Sequence, residues 1–148
     1  ERYPETELVA GIASAGIPHG ALVAEKLKLP MIYVRDKAKG HGKENVIEGV
    51  LKPGQKVVLI EDLISTGGSS LKAALAVRDA GAVPLAVLAI FTYEFEKAAR
   101  SFAAERIDLL TLSNYSALLD VAVAQGKIRA DDLAILKAWR DNPEQYGK

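Results

Sequence analysis

Residues Val57–Ser70 read VVLIEDLISTGGSS. Four apolar residues, Val57–Ile60, come first; two adjacent carboxylates, Glu61 and Asp62, follow; then come Ser65, Thr66, Gly67, Gly68, Ser69 and Ser70. A short Val/Leu/Ile run closed by turn signals fits a strand buried on both faces, here expected to end at Ile60. Helical spacing resumes at Leu71, so the string describes a strand, a loop and a helix. Open α/β sheets bind ligands at the carboxyl ends of their strands, which is where this string delivers its two acids.

The rest of the chain repeats the pattern. Leu8–Ala13, Met31–Val34, Leu85–Phe91 and Leu109–Leu112 are further apolar stretches, too continuous for strands with one wet face. Between them, Ala21–Leu29, Leu71–Ala80, Phe95–Glu105 and Tyr115–Gln125 carry helical spacing, with Gly81 and Gly126 as C-terminal stop signals after the second and fourth. The alternation predicts an α/β fold, a parallel central sheet flanked by helices. A last helix, Asp131–Asp141, sets Leu133, Leu136 and Trp139 at helical intervals, which reads as a docking face. At 148 residues the chain matches one compact domain, expected to span 1–148.

Composition removes several functions. Lys and Arg total 19, as do Asp and Glu, so no overall field favours nucleic acid or an anionic membrane, and any basic site must be local. There is no cysteine, hence no disulfide or thiolate metal site, which fits a reducing compartment. The longest apolar run, Ala82–Phe91, is interrupted by Pro84 and is too short to span a bilayer. The first residues do not resemble a signal peptide. A cytoplasmic protein with no nucleic-acid or membrane partner is expected.

The 57–70 string has its own chemistry. Adjacent carboxylates repel unless water, donors or a cation compensate, and two neighbouring acceptors match two neighbouring sugar hydroxyls, with or without Mg²⁺. The loop that follows leads into a helix N-terminus, where free N–H groups and the helix dipole favour an anion of phosphate size. No Lys follows the glycines, which argues against the nucleoside triphosphate loop GxxxxGK[ST]. The plainer alternative is a capped helix with both acids facing solvent. Arg35–Lys43 adds four cations and a histidine in nine residues, broken by Gly40 and Gly42. Alone, such a run is a solvated surface loop; beside a phosphorylated ligand it would serve as a basic lid that excludes water.

The whole string resembles the 5-phosphoribosyl 1-pyrophosphate (PRPP) signature of type I phosphoribosyltransferases. YVRDKAKGHGKEN, Tyr33–Asn45, is similar to the flexible catalytic loop of the orotate phosphoribosyltransferases, with Arg35, Lys39 and His41 at matching positions. GIASAGIPHG, Gly11–Gly20, is similar to the turn that holds pyrophosphate in these enzymes, although it also reads as a helix start with Pro18 in the first turn and a structural His19. The likeness runs from about Leu8 to LKAWRDNPE, Leu136–Glu144, and is greatest to the branch in Gram-positive-like bacteria.

The resemblance implies the type I phosphoribosyltransferase fold, with a flexible catalytic loop at about 36–46. It implies transfer of the phosphoribosyl group from PRPP to orotate, giving orotidine 5'-phosphate and pyrophosphate in pyrimidine biosynthesis. PRPP would be bound by Arg35, Lys37, Lys39, His41, Glu61, Asp62, Leu63, Ile64, Ser65, Thr66, Gly67, Gly68 and Ser69, with the two acids on the ribose 2- and 3-hydroxyls and Ser65–Ser69 around the 5-phosphate. Lys39 would balance charge at the leaving group, His41 would donate to it, and Ser65 would touch orotate. Mg²⁺ would arrive with PRPP, near Glu61 and Asp62 but with no direct protein ligand. A homodimer is implied, the loop of each copy reaching into its partner's site.

Three departures from the family pattern matter. Asp36 stands where some members have Lys, and Ala15 likewise, shifting the pyrophosphate load to Arg35, Lys37 and Lys39. Tyr93, in IFTYEFEKA, lies near the place where some members use Arg for the orotate carboxylate. The segment that forms a hood over the base in the family has no counterpart in the 148 residues, leaving open a fragment or incomplete base recognition. A purine-base phosphoribosyltransferase shares the PRPP motif, and a non-catalytic PRPP sensor that binds nucleic acid is the alternative from another class, disfavoured by zero net charge.

Overall fold

The computed structural model describes residues 2–36 and 46–143. Six strands form one sheet: β1 (Leu8–Ile12), β2 (Met31–Val34), β3 (Ile47–Glu48), β4 (Lys56–Ile64), β5 (Val83–Thr92) and β6 (Asp108–Asn114). Their spatial order is β3-β2-β1-β4-β5-β6. Every pairing is parallel except β2 with β3. The helices are α1 (Gly16–Leu27), α2 (Gly68–Asp79), α3 (Glu96–Ala104), α4 (Tyr115–Ala124) and α5 (Leu133–Asp141), the last preceded by a 3₁₀ turn at Ala130–Asp132. This is the α/β architecture expected from the alternation of apolar runs and helical spacing. Among the described residues no helix is long and apolar enough to cross a membrane.

Burial explains why β1 and β4 read as unbroken apolar runs. All five residues of β1 are buried, as are Val57–Glu61 of β4, because helices cover both faces there. On one face Ala73, Ala74 and Val77 of α2 and Ala98 and Phe102 of α3 pack with Leu8, Ala10, Val57, Leu59 and Val87. On the other, Ala24 of α1 packs with Val9, Val58 and Ile60. The helix α5 buries no residue fully; Leu133, Leu136 and Trp139 are half-buried and Ile135 is exposed, so the expected docking face exists but is shallow.

Several element boundaries differ from the sequence expectation. β4 continues past Ile60 to Ile64, because Glu61, Leu63 and Ile64 still pair with Ala89, Phe91 and Thr92 of β5. Main-chain pairing therefore carries the strand through the two acids. α1 begins at Gly16 rather than Ala21, with Pro18 in its first turn, where a missing N–H costs nothing. The two-residue strand β3 was not expected; it is too short to show any periodicity. β5 includes Pro84, opposite Val57, and a register shift there leaves Leu85 as the extra residue of a bulge, one of the few places in a sheet where proline is tolerated.

One contact fixes how closely α1 lies on the sheet. A Cβ added at Gly16 would stand 2.3 Å from the carbonyl oxygen of Ile60. The backbone cannot yield without moving β4, so Gly16→Ala is expected to destabilise the fold by about 1–3 kcal/mol, the usual cost of overpacking. Urea unfolding should show the midpoint falling with an unchanged m value.

Candidate active site

Strand order reverses between β1 and β4, since β1 leads outward to β2 and β4 to β5. Such a switch point leaves a crevice above the carboxyl ends of the two strands, because their following loops diverge. The turn Ala13–Ala15 leaves β1 into α1, with a cis peptide between Ala13 and Ser14, and the loop Ser65–Gly67 leaves β4 into α2. Arg35 and Asp36 leave the neighbouring β2. Three of the segments singled out in the sequence thus meet at one edge.

The 65–69 loop is built to present donors. Gly67 caps α2 in the left-handed conformation, at φ 75°, and no side chain caps the helix. A Cβ at Gly67 would also crowd Phe102 at 3.0 Å and Ala98 at 3.2 Å, so glycine is required there for space as well as for conformation. Ser65, Thr66, Gly68 and Ser69 are exposed, while Gly67 packs against α3. The first-turn N–H groups of α2 and these hydroxyls are donors of the kind that could receive an anion.

The two acids do not share one environment. Asp62 is half-buried at the strand end, whereas Glu61 is buried. The Glu61 carboxylate accepts from the Asp62 N–H at 3.0 Å and from the Ser70 hydroxyl at 2.8 Å. Burial, with the neighbouring Asp62 carboxyl adding to it, pushes the Glu61 carboxyl up to about 7, while the Ser70 bond opposes the rise. The two acids are therefore inequivalent: Glu61 is buried and bonded to Ser70, while Asp62 is half-buried at the strand end with its carboxyl beside that of Glu61. Leu63 is 40% exposed, but the Ile64 side chain is fully buried in the core, leaving only its main chain near the loop, and that carbonyl already accepts from Tyr93 N–H at 3.0 Å.

Arg35 sits at the end of β2, its Nε 3.3 Å from the Glu48 carboxylate on β3. The short antiparallel strand thus holds the first cation of the basic run in place. Lys37, Lys39 and His41 lie outside the described residues. His19, in the first turns of α1, lines an apolar cavity with Leu22, Val23, Ile60, Leu88 and Leu112. Among the described residues no group of three or more His, Cys, Asp or Glu side chains is placed to hold a metal ion. Asp62, a half-buried carboxylate at the strand end, is of the type that suits Mg²⁺ brought by a phosphorylated substrate, since that ion commonly combines one or two carboxylates with substrate oxygens.

Two features were not legible in the sequence. Ser70 was read only as part of a polar run, yet it bonds Glu61. Tyr93 stands within an aromatic cluster, with ring centroids 5.5–6.0 Å from Phe91, Phe95, Tyr115 and Trp139. Beside it, Arg140 of α5 donates to Ser116 Oγ at 2.9 Å and lies 3.8 Å from Glu94. Tyr93 is thereby committed to docking α5.

The sequence profile of the phosphoribosyl transferase domain matches residues 4–123, and the chain belongs to that family. The chain is 54% identical to the orotate phosphoribosyltransferase of Enterococcus faecalis strain OG1RF over all 148 residues, covering 70% of that protein. It is 54% identical to that of Bacillus caldolyticus over 145 residues, again 70% of the relative's length. Within the family it falls among the orotate phosphoribosyltransferases. The crystal structure of orotate phosphoribosyltransferase from Aeropyrum pernix superposes with a TM-score of 0.71 at 30% identity, covering 78% of this chain and 64% of that one.

The raised Glu61 carboxyl has a sign for stability. Above the ordinary carboxylate pKa the unfolded chain has released this proton, while the native chain keeps it up to about pH 7. The Glu61 contribution to stability therefore falls as pH rises from about 4.5 to about 7 and then levels off. Thermal unfolding of Glu61→Gln across that window should show a flatter pH dependence than the unaltered chain.

Proposed function

We propose that the chain transfers the 5-phosphoribosyl group from PRPP to orotate, forming orotidine 5'-phosphate and pyrophosphate. The observation that carries this reading is the 54% identity to orotate phosphoribosyltransferases along the whole chain, and the geometry supports the assignment of parts. The donors at the start of α2 receive the 5-phosphate through Ser65–Ser69. Asp62, with Glu61 behind it, accepts from the ribose hydroxyls, and Mg²⁺ brought by the substrate would be held beside Asp62 and would supply positive charge against the departing pyrophosphate. Neutralising the pyrophosphate is assigned to Arg35 and, on the family resemblance alone, to Lys37, Lys39 and His41 of the basic run.

Breaking the C1–oxygen bond leaves positive charge on the ribose and adds negative charge to the leaving pyrophosphate. Cations on the leaving side and carboxylates beneath the ribose stabilise both developments in a site closed to water. No covalent enzyme intermediate is required. Ser65, at the loop's start, is the contact assigned to orotate. The basic run acts across a homodimer, each copy completing its partner's site, and the protein works in the cytoplasm, where its lack of cysteine suits a reducing medium.

Pyrophosphate release from PRPP and Mg²⁺ tests the reading directly: turnover is expected with orotate and not with hypoxanthine, xanthine or adenine. Lys39→Ala should lower kcat by roughly 10²–10³ while leaving PRPP affinity within severalfold. An unchanged kcat would remove Lys39 from the mechanism. Mixing Lys39→Ala with Asp62→Asn should raise turnover well above that of either variant alone, if loops are shared between copies.

A further inference from the structure

Among the described residues, the only buried polar or charged side chains are Glu61 and Ser70, at 6% and 1% exposure. They are each other's partners, nine residues apart in sequence. Burying a carboxylate and a hydroxyl among apolar groups is costly even when they are paired, and an apolar pair of equal size would serve the core at least as well. Their placement suggests what the pair does instead. Glu61 lies in β4 and Ser70 in the first turn of α2, so the 2.8 Å bond ties together the strand and helix on either side of the 65–67 loop. The other Glu61 oxygen holds the Asp62 N–H, fixing the main chain at the second acid.

We infer that Ser70 is a positioning residue of the phosphoribosyl site, acting through the Glu61 carboxylate to hold the loop in the shape that receives a phosphorylated ribose. The inference rests on the proposed phosphoribosyl reading. Ser70 itself is buried and does not reach the ligand. Its hydroxyl sets where Ser69 and the first-turn N–H groups stand relative to Asp62. Loss of the hydroxyl frees the carboxylate to swing and lets the strand end and the helix start move apart, so the effect belongs to the ribose 5-phosphate portion of the substrate and not to the base.

Calorimetric titration with ribose 5-phosphate and with PRPP and Mg²⁺ tests this. Ser70→Ala should weaken both about tenfold, the scale of one lost hydrogen bond to a charged group. Ser70→Cys, of similar size but a poor donor, should behave like Ala, and Ser70→Thr should stay within about twofold of the unaltered chain. In the turnover assay Ser70→Ala should raise KM for PRPP and leave KM for orotate unchanged. The double variant Ser70→Ala/Glu61→Gln should bind no more weakly than Glu61→Gln alone, because Ser70 acts through Glu61. Full affinity in Ser70→Ala, or losses that add in the double variant, would overturn the inference. Should Ser70→Ala fail to fold, the Cys and Thr variants decide by the same criterion. Absence of ribose 5-phosphate and PRPP binding by the unaltered chain would overturn the phosphoribosyl reading and this inference together, whereas binding that Ser70→Ala leaves intact overturns the inference alone.

Discussion

The fold depends on β1 and β4 lying side by side in parallel with both faces buried. Val9 pairs with Val58 and Ala10 with Leu59, and each residue here is sealed by helices on both sides. A parallel pair needs its connections to cross over, so the chains leaving β1 and β4 diverge, one into α1 and the other into α2. The crevice between them is a geometric by-product of that pairing. Because Gly16 rests almost on the Ile60 carbonyl, the two loops that frame the crevice are set by the same contact that packs α1 on the sheet. Stability and site geometry share one constraint.

Electrostatics then work locally. The chain has no net charge, so its capacity to bind a highly charged ligand rests on the arrangement of a few groups. Uncapped N–H groups at α2, a half-buried carboxylate at Asp62 and the cation of Arg35 held by Glu48 lie at adjoining strand ends. In the proposed reading, each sign of charge would meet a different portion of a phosphorylated, magnesium-bearing sugar. A uniformly basic surface would attract such a ligand but would not orient it.

Much of this was legible because the physics is local. Apolar runs without alternation marked buried parallel strands, and the Ser, Thr and Gly after the acids marked the turn from β4 into α2. What stayed hidden depends on contacts between distant residues. The continuation of β4 through Glu61 and Asp62 is decided by main-chain pairing with β5, to which side-chain polarity is a poor guide. Ile47 and Glu48 are too few to betray a strand, yet they position Arg35. Ser70 looked like one more hydroxyl in a polar run; only the fold shows that it faces a buried carboxylate. Tyr93, read against a family position for arginine, is engaged by rings from three other elements or loops.

That ring cluster has an optical consequence. Trp139 is the chain's single tryptophan, and it lies 5.3–5.6 Å from Tyr93, Phe95 and Tyr115. Since α5 is held to the rest of the molecule with no fully buried residue of its own, the indole stands at the seam between a lightly attached helix and the strand end beside the ligand loop. Excitation of the two tyrosines at that seam passes to the indole only while the helix is seated. The emission of one side chain thus monitors the attachment of α5 separately from the unfolding of the sheet.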